Sequence, residues 1–171
     1  MSKFVSAAIA ATGVVALFAA APAVAQLVVP AQKQAQQQNY NSGVFGSITI
    51  GPGFNPDPLN IGVQAGGPID VSNIDSRCDG YMTDQPSYMV NFTAQGSLPL
   101  IFSVNSSDDT TILVRAPDGQ TYCDDDSGQN GDNPSIAFQS PGPGQYEIWV
   151  GRFWNSNLSA ATLGISEVSS Y

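Results

Sequence analysis

The segment that decides the fold is Gly144–Gly151, with the sequence Gly-Gln-Tyr-Glu-Ile-Trp-Val-Gly. Its apolar residues Tyr146, Ile148 and Val150 occupy every second position, and a period of two is typical of a strand with one face on a core. The same alternation recurs in the segment Leu100–Val104. The two segments therefore predict β-strands that bury one face.

Shorter runs of the same kind continue along the chain. The sequence contains 17 Gly, 12 Pro and few helix formers, and turns such as Pro117-Asp118-Gly119 separate the runs. We therefore predict an all-β fold, a single antiparallel β-sandwich of jelly-roll type with about eight or nine strands. The expected strands are residues 44–50, 68–71, 87–93, 99–105, 110–116, 120–123, 135–139, 145–151 and 160–167.

Residues 1–25 predict a signal peptide. Lys3 precedes the uncharged apolar stretch Phe4–Ala21, and Ala23–Ala25 has the small residues of a cleavage site. We expect the mature chain to begin near Gln26, to be secreted or periplasmic, and to have no stable membrane insertion after cleavage. The alternative is a retained membrane anchor, because the apolar stretch is nearly long enough to span a bilayer.

Residues 26–43 predict a Gln-rich flexible tether, because they carry many Gln and few large apolar side chains. The β-sandwich domain is expected over residues 44–171. The mature length of about 145 residues is sufficient for one domain with a real core and too short for two.

The charge of the chain excludes one class of partner. The full sequence has five basic and 14 acidic residues, and removal of Lys3 with the signal would change the net charge from −9 to −10. Such a surface repels nucleic acid, so no nucleic-acid partner is expected. Most of the acids are Asp, which favours loops and turns over helix faces.

Cys78 and Cys123 predict one disulfide. They are even in number, well separated and outside any Cys-x-x-Cys pattern, as is usual in an oxidising compartment. The bridge would tie the start of the acidic segment to the N-terminal half of the domain. A free buried pair of thiols, or two metal thiolates, is the alternative.

Half of the carboxylates lie between Asp108 and Asp132, and this segment predicts a calcium site. Calcium binds six to eight oxygens in flexible geometry, whereas the absence of His argues against zinc or copper. At most two of the three consecutive acids can contact one ion, and the third would fix the loop through backbone amides. A solvated acidic turn is the alternative. The candidate ligands are Asp109, Asp118, Asp124, Asp125, Asp126, Asp132 and Asn133.

Several short motifs follow one another in the second half of the chain: Ser107–Leu113, Ala116–Gly119, Cys123–Gly128, Asn133–Ile136 and Gly144–Gly151. Their order resembles the bacterial pre-peptidase C-terminal domain, a secreted β-sandwich related to the collagen-binding modules of collagenases. In that family a D-T-x-L strand, a P-D-G turn, an N-D-D loop and a G-x-Y-x-x-x-V strand recur in this order.

This resemblance implies a non-catalytic module that often binds calcium, is usually attached to a secreted protease and is sometimes adhesive. Asp109 matches the acid of the first motif, Asp118 that of the turn, and Asp125 and Asp126 the paired acids. Asp124 stands where the family more often has Asn. Since only the signal and the tether precede the domain, a role in handling an attached enzyme is not expected.

An enzymatic function is not expected either. The chain has no His, and the only Lys outside the signal is Lys33 in the tether, so the usual bases for a nucleophilic Ser or Cys are lacking. The alternative is a secreted hydrolase, peptidase-associated or glycosidase-like, that uses pairs of Asp. Such a mechanism needs one acid with a raised pKa in an apolar pocket, which a Ser/Gly/Asn-rich loop does not provide.

Trp149, Phe153 and Trp154 form a candidate ligand surface. If Tyr146 faces the core, Trp149 points to the opposite side of its strand and could contact a sugar ring or a protein. The alternative is an aromatic residue that covers the sheet edge or the disulfide. Together these features predict a secreted, calcium-stabilised module for binding a surface, matrix, protein or polysaccharide in adhesion.

Overall fold

A computed structural model describes residues 41–95 and 97–171 of the chain. Within these ranges the regular structure is almost entirely β. The eleven strands are β1 Ser47–Ile50, β2 Leu59–Ala65, β3 Ile69–Asp70, β4 Tyr81–Met82, β5 Tyr88–Phe92, β6 Leu100–Asn105, β7 Thr110–Arg115, β8 Thr121–Asp124, β9 Ser135–Phe138, β10 Gly144–Arg152 and β11 Ser159–Ser166. A 3-10 turn at Val71–Asn73 follows β3.

The strands form two packed sheets, so the predicted all-β sandwich is confirmed. One sheet has seven strands and the other has four, in the order β2-β11-β6-β9. The prediction of eight or nine strands is too low, because β2 and the two-residue β4 were not anticipated. The pairing is also not wholly antiparallel, since β1 runs parallel to β5.

Strand β10 is the centre of the seven-stranded sheet. It pairs with β5 through residues 144–148, with β7 through residues 147–152, and with β4 at Arg152. Its side chains Tyr146, Ile148 and Val150 are fully buried between the sheets, as the alternation predicted. Burial of each such side chain contributes roughly 2 kcal/mol, so these three side chains together contribute about 6 kcal/mol to the stability of the fold.

The main core also contains the alternating face of β6. Leu100, Phe102 and Val104 are fully buried there. The ring of Phe102 lies 5.7 Å from that of Tyr146, and Phe138 from β9 packs edge-on against both. The two segments that indicated the fold therefore meet each other across the sandwich.

A smaller core covers the outer face of the seven-stranded sheet. Trp149 and Leu113 pack there against the segment that follows β3, and the disulfide between Cys78 and Cys123 closes the cluster. The predicted disulfide is thus confirmed. It fastens the segment 71–80 over the sheet and holds the end of β8 beside it.

The predicted signal peptide lies outside the described residues, and so does the predicted tether apart from residues 41–43. Within the described residues, Gly43 and Gly46 form an isolated bridge just before β1. No helix in the described ranges is long and apolar enough to cross a membrane.

Candidate functional site

Three loops meet at one end of the sandwich and form the acidic site. They are the β6–β7 turn with Asp108 and Asp109, the segment 124–133 between β8 and β9, called here the acidic loop, and the segment 152–157 after β10. The amide of Thr110 donates to the carbonyl oxygen of Asp132 at 3.1 Å, and the amide of Phe153 donates to that of Asp109 at 3.2 Å. These bonds fix the loops beside one another.

Asp124 anchors the acidic loop. Its Oδ1 accepts from the Ser127 hydroxyl at 2.6 Å, and its Oδ2 accepts from the amides of Ser127 at 2.9 Å and Ser135 at 2.8 Å. Its backbone oxygen also accepts from the Thr111 hydroxyl. This predicted ligand therefore binds the backbone at both ends of the loop, which is the fixing role expected for one of the three consecutive acids.

Asn133 is a second anchor. Its Oδ1 accepts from the Thr110 hydroxyl at 2.8 Å, and its Nδ2 donates to the carbonyl oxygens of Ser106 at 3.1 Å and Asn130 at 3.0 Å. The residue is buried, so these bonds satisfy polar atoms that water does not reach. We assign Asn133 a structural role in the loop.

Asp109 is the acid whose environment is least complete. Its Oδ1 is buried and has no hydrogen-bond partner. Burial raises the pKa of its carboxyl group, and the negative charges of Asp132, Asp126 and Asp125 raise it further, whereas a hydrogen bond with Trp154 opposes them. A cation beside this oxygen would compensate the cost of burying a charged carboxyl group and would reduce the repulsion between the carboxylates.

Asp125 lies in the same field. Burial is the first cause that raises the pKa of its carboxyl group, followed by the charges of Asp126, Asp124 and Asp79. Asp126 and Asp132 are exposed. The charges of Asp125, Asp126 and Asp132 thus all act on Asp109, and these four residues are called here the grouped acids.

Asp118 does not belong to that group. It lies in the turn between β7 and β8, where its side chain accepts from the amide of Gln120 at 2.8 Å and the hydroxyl of Tyr122 at 3.1 Å. Strand β8 separates this turn from the acidic loop. The structure therefore places Asp118 apart from the other predicted ligands, because a short side chain in a tight turn is used locally.

The described arginines do not neutralise the four grouped acids. Each of the three is paired elsewhere: Arg77 with Asp75 at 2.5 Å, Arg152 with Asp108 at 2.8 Å, and Arg115 with Glu147. No pattern in the sequence indicated the Arg152–Asp108 pair, because it joins residues 44 positions apart.

The four acids are not arranged as a preformed metal centre. In the described part of the chain, no group of three or more His, Cys, Asp or Glu side chains is placed to hold a metal ion. Chemically the site offers carboxylate and carbonyl oxygens on an open surface. That set suits a hard cation more than a general acid, which needs an apolar pocket.

The three candidate aromatic residues separate into two environments. Trp149 is only 6% exposed, packs in the smaller core and donates through Nε1 to the carbonyl oxygen of Asp84 at 3.3 Å. It is therefore not a ligand surface. Trp154 is 73% exposed, and Phe153 packs edge-on against it with ring centroids 4.8 Å apart. Because the amide of Phe153, the residue before Trp154, donates to the backbone oxygen of Asp109, an exposed aromatic face adjoins the acids.

No protein-family model matches the chain, and no curated protein is significantly similar to it. Among solved structures, the chain is similar to PliG of Aeromonas hydrophila, a periplasmic inhibitor of g-type lysozyme. The two share 14% identity with a TM-score of 0.37, over 70% of this chain and 96% of PliG. A similarity this low does not establish a shared fold family or a shared function.

Proposed function

We propose that the domain is a non-catalytic binding module of an exported protein, and that a calcium ion at its acidic end orders the loops beside its ligand face. One observation carries the calcium proposal: Oδ1 of Asp109 is buried without a hydrogen-bond partner, and the negative charges of three further carboxylates act on the same group. An uncompensated carboxylate in such a place is costly, and a cation is the simplest compensation.

The ligands of this ion would come from two kinds of acid. Asp109 and Asp125 are partly buried and held close to strands, whereas Asp126 and Asp132 are exposed and can change rotamer at little cost. Backbone carbonyls and water would complete six to eight oxygens. Asp124 and Asn133 would keep the loop in place around the ion.

The calcium proposal is tested by thermal unfolding with calcium and with chelator. At a calcium concentration 100 times the dissociation constant, the ion stabilises the fold by about 2.7 kcal/mol, which corresponds to a rise in Tm of several degrees. Asp109→Asn should abolish this shift. Asp118→Asn is the matched control, because Asp118 lies at the far end of β8, and it should retain the shift. An equal Tm with and without calcium contradicts the proposal.

We also propose that Trp154 contacts the ligand and that this ligand is a neutral polysaccharide. The exposed indole can stack on a sugar ring, and the adjacent carboxylates would repel an acidic polymer. The expected result in affinity electrophoresis is retardation by a neutral glucan but not by polygalacturonate, and loss of retardation in Trp154→Ala. Leu158→Ala removes an exposed apolar side chain directly after the segment 152–157 and serves as the control.

One comparison distinguishes the proposed binding module from a hydrolase that uses pairs of Asp. In a binding module, Asp125→Asn and Asp126→Asn lower the calcium-dependent stability and no substrate turnover is lost. In a hydrolase they abolish a measurable activity while the fold remains. The resemblance to the pre-peptidase C-terminal domain supports the calcium proposal, because Asp109, Asp125 and Asp126 match acids in the motifs of that family.

A further inference from the structure

A second pair of acids, Asp57 and Glu167, lies at the C-terminal end of β11, whereas the segment 152–157 of the acidic site precedes the start of this strand. The pairing of β2 with β11 brings them together, because Leu59 is opposite Ile165 and the residues just before β2 therefore lie beside those just after β11. Asp57 accepts from the Ser166 hydroxyl at 2.5 Å and from the amide of Glu167 at 3.0 Å. The contact joins the loop 51–58 to the end of the other strand.

Glu167 is the more deeply buried of the two acids. It is only 4% exposed. Its Oε2 accepts from the amide of Gly53 at 2.7 Å, whereas its Oε1 is buried and has no hydrogen-bond partner. One oxygen of a buried carboxylate is thus bonded to the loop, and the other lacks a donor.

The surroundings offer this pair no positive charge. The three described arginines are paired with Asp75, Asp108 and Glu147, and no lysine occurs in the described ranges. A bound cation would satisfy both the free oxygen and the charge.

We propose that Asp57 and Glu167 form a second cation site, for a divalent ion of the calcium class, that fastens the loop 51–58 to the end of β11. Glu167 would contribute Oε1, and Asp57 the remaining lone pairs of its carboxylate. With only two acids, the other oxygens must be backbone carbonyls and water, which calcium accepts. This site is independent of the one proposed at Asp109.

Calcium titration of the chelator-treated full chain by isothermal titration calorimetry tests the site. The expected stoichiometry is two ions for the wild-type protein. Glu167→Gln, which keeps the shape and removes the charge, should lose one of them, while Asp109→Asn should lose the other. The double variant should bind none. Magnesium chloride is the second probe, and it should bind more weakly because magnesium keeps its own water shell.

The outcomes separate the two proposals. If Glu167→Gln keeps the full wild-type stoichiometry, the Glu167 site is wrong and the free oxygen is hydrated by a buried water. If wild type binds one ion that only Asp109→Asn removes, the same conclusion follows and the acidic-loop site stands. If one ion is bound and only Glu167→Gln removes it, the acidic-loop site is wrong. Asp57→Asn is the second test variant for this site, to be used if Glu167→Gln does not fold. It should weaken calcium binding at the Glu167 site at least tenfold.

Discussion

At the scale of single residues, the side chain of Asn133 anchors the acidic loop and also contributes to the stability of the whole domain. Asn133 makes three side-chain hydrogen bonds in a buried position. We expect Asn133→Ala to lower the free energy of unfolding by about 2–4 kcal/mol, because it leaves buried partners unsatisfied. Urea unfolding measures the effect. Asn130→Ala, at an exposed position that uses only its backbone oxygen, should cost far less, and equal losses would contradict the assignment.

The pH dependence of Asp109 provides a second prediction at this scale. Because its folded pKa is raised, its carboxyl group favours folding when protonated, and this contribution is lost as pH rises through the unfolded and then the folded pKa. In chelator at neutral pH, Asp109→Asn should therefore be more stable than wild type, because the variant carries no buried negative charge. The difference should shrink when both states are protonated in acid. Chemical unfolding at several pH values measures it, and a destabilised variant at neutral pH would overturn the prediction.

At the scale of elements, the segment 71–80 depends on its disulfide. It covers Trp149 on the outer face of the sheet and has a small apolar cluster of its own. Replacing Cys78 and Cys123 by Ser should cost about 2–5 kcal/mol and expose Trp149. In a Trp154→Phe background the remaining tryptophan reports directly, so its fluorescence should shift to longer wavelength. An unchanged spectrum would mean that the segment stays packed without the bridge.

Sequence patterns were most informative where side chains of one strand share a face. The alternation in β6 and β10 predicted which residues are buried, and the strand β2 was missed although Leu59, Ile61 and Val63 also alternate. Gly62 and Asn60 weaken that signal, since neither favours a strand. The pairing of Asp57 with Glu167 has no local signal at all, because it depends on the register of β2 against β11.

The candidate site was predictable to the extent that its residues are adjacent in the chain. The run of three acids indicated the acidic loop, and the sequence also placed Asp109 directly before the predicted strand 110–116. What separated Asp118 from the others was strand β8, whose length and direction the acidic pattern does not contain. The contrast between Trp149 and Trp154 likewise follows from the segment 71–80, which covers one residue and not the other.

At the scale of the whole molecule, the excess of negative charge should limit stability when no cation is bound. The described residues contain all 14 acids of the chain and three arginines. Monovalent salt screens this self-repulsion, so we expect 0.5 M sodium chloride to stabilise the chelator-treated protein by roughly 1 kcal/mol. The gain should be smaller in saturating calcium. Thermal unfolding across a salt series measures it, with an equal osmolarity of glycerol as control, and no difference between the calcium and chelator series would contradict the expectation.

The central place of β10 also governs when the protein can fold during synthesis. Strands β4 and β5 each have β10 as one of their two partners, and β2 pairs with β11, so these three strands lack a pairing partner until the last thirty or so residues have been made. A chain that leaves the ribosome, or enters a translocation channel, with its N-terminus first therefore has little to fold around. If the chain is exported, as we propose, this late closure would leave it extended during passage through the channel, and the disulfide would form after passage.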